Sequence, residues 1–191
     1  MQNKTIGVII SNLQPVIHKG YVQLIKKALA ENDEVVILIS DADKHNYTTM
    51  PFTIDLRQKM IKDIIVSYFS TDAEHITISK LSNFPITDSN SLNDTETYIY
   101  YNIVNITGQK TFKLYCDENI VKNPNPELKK YMQINHVKFN NLISPIHINK
   151  SLVCYTEEDR KYLKTVIPEI ILEKYLITMR RILMTEVFLV V

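Results

Sequence analysis

The stretch that decides the fold is TIGVIISNLQPVIHKGYVQLIKKALAENDEVVILIS, Thr5–Ser40. It opens on Thr5-Ile6-Gly7-Val8-Ile9-Ile10 and closes on Glu34-Val35-Val36-Ile37-Leu38-Ile39. Neither run alternates apolar with polar residues, which is how strands buried on both faces of a parallel sheet read. Between them Val22, Ile25, Ala28 and Leu29 recur at helical spacing, and Asn32-Asp33 ends the helix. Strand, helix, strand in this order predicts a βαβ unit.

The alternation continues downstream. Thr53 is placed to cap a helix running to about Phe69, with Ile54, Met60, Ile61, Ile64, Ile65 and Tyr68 as its apolar stripe. His75–Ser79 predicts a third strand, Asp94–Asn105 a helix, and Thr111–Cys116 a fourth strand. Pro126–Gln133 reads as a short helix and His136–Phe139 as a fifth strand. Thr156-Glu157-Glu158-Asp159 resembles a capping box, and Pro168 suits the first turn of a last helix. The apolar end, Thr185–Val191, reads as a last strand or helix turn, or as the start of a further domain. The pattern predicts α/β architecture: a doubly wound parallel sheet with a helical C-terminal end, in one domain over residues 1–191.

Composition narrows the chemistry. The chain has 191 residues, 22 basic against 21 acidic, and a formal net charge of +1. That balance offers no electrostatic case for nucleic acid. Three glycines, Gly7, Gly20 and Gly108, are too few and too scattered for a G-x-G-x-x-G turn or a Walker loop. Any phosphate site must rely on histidine, lysine, arginine and helix termini. The two cysteines, Cys116 and Cys154, make no CxxC pair and read as buried free thiols. No two histidines share a helix face at ligand spacing, so no protein-built metal site is expected. No signal-peptide pattern or membrane-spanning run is present, and a cytoplasmic protein without a membrane partner is the expectation.

Ligands of doubly wound folds bind beyond the carboxyl ends of the strands. There, Ser11-Asn12-Leu13-Gln14-Pro15-Val16-Ile17-His18-Lys19-Gly20-Tyr21 leads from the first strand into a helix. His18, Lys19 and the helix's free N–H groups suit a phosphate, and Gly20 allows close approach of the chain.

These residues resemble the H-x-G-H nucleotidylyltransferase superfamily, and most closely the nicotinamide-mononucleotide adenylyltransferases of bacterial, archaeal and phage type. That family carries G-R-F-Q-P-x-H-x-G-H after its first strand, where this chain has S-N-L-Q-P-V-I-H-K-G-Y. Met50–Ile61, MPFTIDLRQKMI, resembles the family's N-P-F-T-x-x-x-R, which puts its phosphate-side arginine at Arg57. Ile143–Asn149, ISPIHIN, falls in the frame of the late I-S-x-T-x-I-R motif.

The resemblance implies a Rossmann-like nucleotidylyltransferase fold that joins ATP to nicotinamide mononucleotide, giving NAD and pyrophosphate with Mg²⁺. His18 and Arg57 would be the catalytic pair. Gln14, Lys19, Gly20, Tyr21, Ser144 and His147 would line the nucleotide site. The departures are equally specific. Ser11 and Asn12 replace a glycine and an arginine, and one residue more separates Pro15 from His18. Tyr21 stands for the second histidine, and Ile146 and Asn149 for the late threonine and arginine. His147, beside Ile146, is the candidate replacement for the missing cation. Each lost transition-state contact costs about 2.7–4 kcal/mol in sites of this kind. The alternative is therefore a catalytically degenerate member that binds a nucleotide or a protein. Members of the family often assemble, so a homo-oligomer stays open.

Overall fold

The structure is a computed structural model that describes residues 4–13, 17–40, 51–81, 92–116, 126–137 and 144–189. Its elements in chain order are β1 (Ile6–Ser11), α1 (Lys19–Glu31), β2 (Glu34–Ile39), α2 (Ile54–Tyr68) and β3 (Ile76–Lys80). Then follow α3 (Leu92–Thr107), β4 (Phe112–Cys116), β5 (Met132–His136), α4 (Pro145–Cys154), α5 (Glu157–Val166) and α6 (Glu169–Leu189). By internal contacts the chain divides into two compact units. One holds residues 1–12, 25–42 and 74–138, and the other holds residues 13–24, 43–73 and 139–191.

The first unit contains the sheet. Its five strands run in the order β3-β2-β1-β4-β5, every neighbouring pair parallel. The expected doubly wound parallel sheet with C-terminal helices is thus the observed architecture. β1 is buried along its whole length, and β2 from Val35 onward, as their unbroken apolar runs require. On one face Ile6, Val8, Ile10, Val36, Leu38 and Leu114 pack with Ile99, Tyr100 and Ile103 of α3. On the other, Gly7 lies so close to Asn32 that an added Cβ would sit 2.7 Å from its Nδ2. Asn32 Nδ2 donates to Ala28 O at 2.8 Å and to Tyr115 Oη at 3.0 Å, and Tyr115 Oη donates to Glu31 at 2.7 Å. Burial and the Glu31 carboxylate push the Tyr115 hydroxyl up to about 12, so it stays a donor.

The sequence reading of the β5 region needs correction. Residues 126–131 form turns rather than a helix, closed by Tyr131 N–H and Met132 N–H on Leu128 O. The strand begins at Met132, and His136 ends it instead of opening it. Pairing with β4 in the register Phe112↔Met132 to Cys116↔His136 overrides the local pattern, because it seats Met132 in the core. Phe139 lies outside the described residues.

The second unit is helical. Thr53 caps α2 as expected, accepting from Leu56 N–H. Thr156 and Asp159 form the reciprocal capping box of α5, and the donors Thr156 N–H and Oγ1 hold the Asp159 carboxyl below its ordinary range. α6 is tied to α2 through Asp63, which accepts from Lys174 at 2.9 Å and from the Tyr175 hydroxyl. It is tied to α4 where Arg180 Nε donates to Leu152 O at 3.0 Å. The Arg180 guanidinium also lies 4.3 Å from the Tyr155 ring, with Arg160 at 5.2 Å. Arg180 is therefore built into the fold. Cys154 is exposed, against the expectation of a buried thiol, while Cys116 is buried. The terminal run beyond Thr185 continues α6 to Leu189.

Candidate functional site

β1 lies between β2 and β4, so the order of connection switches direction at its carboxyl end. The chain leaving β1 passes Leu13, a leucine at φ 56° that is only 1% exposed. A left-handed leucine costs on the order of 1–3 kcal/mol and persists because the surroundings over-determine it. No residue type in the sequence signalled this turn, since glycine or asparagine would be its usual marker.

The chain then enters α1. His18 is buried, 4% exposed, and Tyr21 stacks on it with ring centroids 4.3 Å apart and 28° between planes. Tyr21 N–H donates to His18 O at 2.9 Å, closing the first turn. Burial pulls the His18 pKa from 6.5 down to about 4, so the imidazole is neutral at pH 7 and offers one N–H donor. Lys19 is exposed, and its Nζ donates to Lys164 O at 2.7 Å, at the C-terminal turn of α5. The ammonium thereby serves a helix end.

Arg57, in the first turns of α2, is 1% exposed. That burial excludes a solvated helix position. A guanidinium is retained out of water only for a partner worth its desolvation. Ser144 caps α4, accepting from His147 N–H at 3.4 Å. His147 is exposed and stacks on Tyr162 of α5 at 4.0 Å and 13°. Ile146 is 82% exposed. Gln14 lies outside the described residues.

The predicted residues His18, Lys19, Gly20, Tyr21, Arg57, Ser144 and His147 all belong to the second compact unit. Side-chain contacts pair His18 with Tyr21 and His147 with Tyr162. Tyr162 and the Lys164 carbonyl escaped the sequence reading, because neither lies in a motif and only the packing of α5 brings them there. A cavity of about 490 Å³ in this unit, lined by Tyr155, Arg160, Leu163 and Ile167, takes in Lys19 but neither His18 nor Arg57. The walls of that cavity carry both Lys164 and Glu169.

The helix starts differ in charge. α2, α5 and α6 each carry an acidic residue in their first turn. α1 and α4 carry none. Their N-terminal partial positive charge is therefore not answered by their own carboxylates and is available to an anion. Among the described residues, no group of three His, Cys, Asp or Glu side chains is arranged to hold a metal ion. Among them, too, no helix is long and apolar enough to cross a membrane.

A five-stranded parallel sheet flanked by helices makes this an α/β protein of the doubly wound class. Within that class the assignment is sharper: the cytidylyltransferase-like family matches residues 15–169, and the chain belongs to it. The chain is 32% identical over 78 residues to the nicotinamide-nucleotide adenylyltransferase of Thermoplasma acidophilum, covering 38% of this chain and 43% of that protein. It is 38% identical over 60 residues to the enzyme of the same name from Methanococcus maripaludis, covering 31% and 34%. The chain thus spans less than half the length of these curated relatives in the matched region. The fold is similar to that of a bifunctional NMN adenylyltransferase/ADP ribose pyrophosphatase of Francisella tularensis complexed with AMP and Mn ion, at a TM-score of 0.66 and 13% identity. That likeness covers 98% of this chain and 54% of the other.

Proposed function

We propose that this chain is an adenylyltransferase that joins ATP to nicotinamide mononucleotide, releasing NAD and pyrophosphate. The observation that carries the reading is a buried, neutral His18 at the start of α1, a helix with no acid in its first turn. The names of the two curated relatives, nicotinamide-nucleotide adenylyltransferases, support this choice of substrates. In the reaction a phosphate oxygen of the mononucleotide bonds to the α-phosphorus of ATP. The bond from that phosphorus to the bridging oxygen breaks, and its electron pair leaves with pyrophosphate.

The protein's part is positioning and charge stabilisation. His18 donates an N–H to the ATP phosphates, with the α1 N-terminus behind it. Arg57 clamps phosphate oxygens in bidentate fashion. The α4 N-terminus, with Ser144 and His147, takes the second anionic group. The donors at these positions suit phosphate oxygens and not a bare cation, so Mg²⁺ would be carried on the phosphates. When bound, it neutralises charge on the departing pyrophosphate. On this reading residues 1–191 act as one transferase domain in the cytoplasm.

The test is direct. Purified protein with ATP, Mg²⁺ and nicotinamide mononucleotide should form NAD in proportion to enzyme, and His18→Ala should lower the rate about 100-fold or more. No NAD above background at high enzyme concentration refutes catalysis. One observation favours a second reading, a nucleotide binder without turnover: Tyr21 and Lys19, at two motif positions, make contacts within the protein. Calorimetry that detects ATP or NAD binding without NAD synthesis would select it.

A further inference from the structure

Tyr21 occupies the place where the resembled pattern has its second histidine. The simple expectation is a hydroxyl doing a ring nitrogen's work. The geometry is different. The tyrosine ring lies against the His18 imidazole, centroids 4.3 Å apart, and the two side chains are 5% and 4% exposed. The Tyr21 N–H to His18 O bond fixes the backbone turn that sets the rings face to face.

We infer that Tyr21 is a positioning residue, whose ring holds the His18 imidazole in one orientation at the start of α1 for a bound phosphate. The inference rests on the phosphate site proposed above and deepens it. Even a buried imidazole has more than one rotamer and two ring orientations available, and binding must select one of them. A stacked partner makes that selection before the ligand arrives, which removes an ordering cost from binding. Aromatic pairs of this kind shift such populations by up to about tenfold beyond their area burial. The stack also keeps water from the ring, in line with a neutral imidazole that works as a hydrogen-bond donor and not as a cation. The chain has thus exchanged a second phosphate ligand for a fixed first one.

Inorganic pyrophosphate is the probe, since it needs only the phosphate site and not turnover. Tyr21→Phe and Tyr21→Leu are compared with the native protein by calorimetry and by NMR of the His18 ring protons. Tyr21→Phe should keep the ring-current shift of His18 and bind pyrophosphate within about twofold of native. Tyr21→Leu should lose that shift and bind about tenfold more weakly, with cooperative unfolding retained. If Tyr21→Leu does not fold, Tyr21→Met fills the volume with a flexible chain and takes its place. Equal loss in Tyr21→Phe would assign the work to the hydroxyl and overturn the inference. So would native affinity in Tyr21→Leu, or a native protein that binds no pyrophosphate. Absence of NAD synthesis alone would refute only the catalytic reading.

Discussion

Replacing His18 by glutamine should flatten the acid limb of this protein's stability. Burial lowers the His18 pKa from 6.5 to about 4 in the folded chain. Between those values the unfolded chain binds a proton that the folded chain refuses. Stability therefore rises with pH across this window and is fully present above about 6.5. On acidification it falls through the window and levels off below about pH 4. At roughly 1.4 kcal/mol per pH unit, the displacement is worth about 3 kcal/mol, a large share of a typical total of about 5–15. Glutamine keeps a polar side chain of similar size and cannot titrate. The assay is urea unfolding at several pH values from 7 down to 4, for native and His18→Gln proteins side by side. Asp33, Asp63 and Asp159 are also held below their ordinary carboxyl range, but they act lower in pH and equally in both proteins. The difference between the two curves isolates His18. It should shift by about 3 kcal/mol across the window. A flat difference, or a His18 ring that titrates near 6.5 by NMR, would refute the buried imidazole.

Arg57→Met should weaken pyrophosphate binding more than tenfold by calorimetry and also lower stability by about 3–5 kcal/mol, because removing one member of a buried charged contact leaves its partner unanswered. Unchanged affinity would remove Arg57 from the site. Lys19→Met frees the Lys164 carbonyl and should cost about 1 kcal/mol in urea unfolding, yet alter ATP affinity less than threefold. A loss of affinity as large as that of His18→Ala would show the ammonium reaching the nucleotide. Gly7→Ala places a methyl 2.7 Å from Asn32 Nδ2, which is held by Ala28 O and the Tyr115 hydroxyl, and should cost about 1–3 kcal/mol. Native stability in that variant would mean the Asn32 cluster yields freely.

The sequence by itself determined the sheet's central strands and the helix between them. β1 and β2 are buried on both faces, so their apolar runs could be nothing else, and β2 falls at Glu34–Ile39 as read. It also determined the caps at Thr53 and Thr156, because capping is settled within four residues of chain. The two segments that carry His18 and Arg57 could be singled out for the same reason: each motif is contiguous in the sequence. What lay beyond local reach went to the tertiary structure. β5 starts at Met132 because β4 pairs with it there, a decision made across the sheet. Lys19 serves Lys164 O, at a sequence distance no spacing rule spans. The burial of His18 and Arg57 was likewise decided by packing. A residue's type fixes which proton or charge it can offer, but only its surroundings fix whether water competes for it. At His18 they leave a neutral donor stacked on Tyr21, where the sequence showed only a histidine beside a tyrosine that had replaced another.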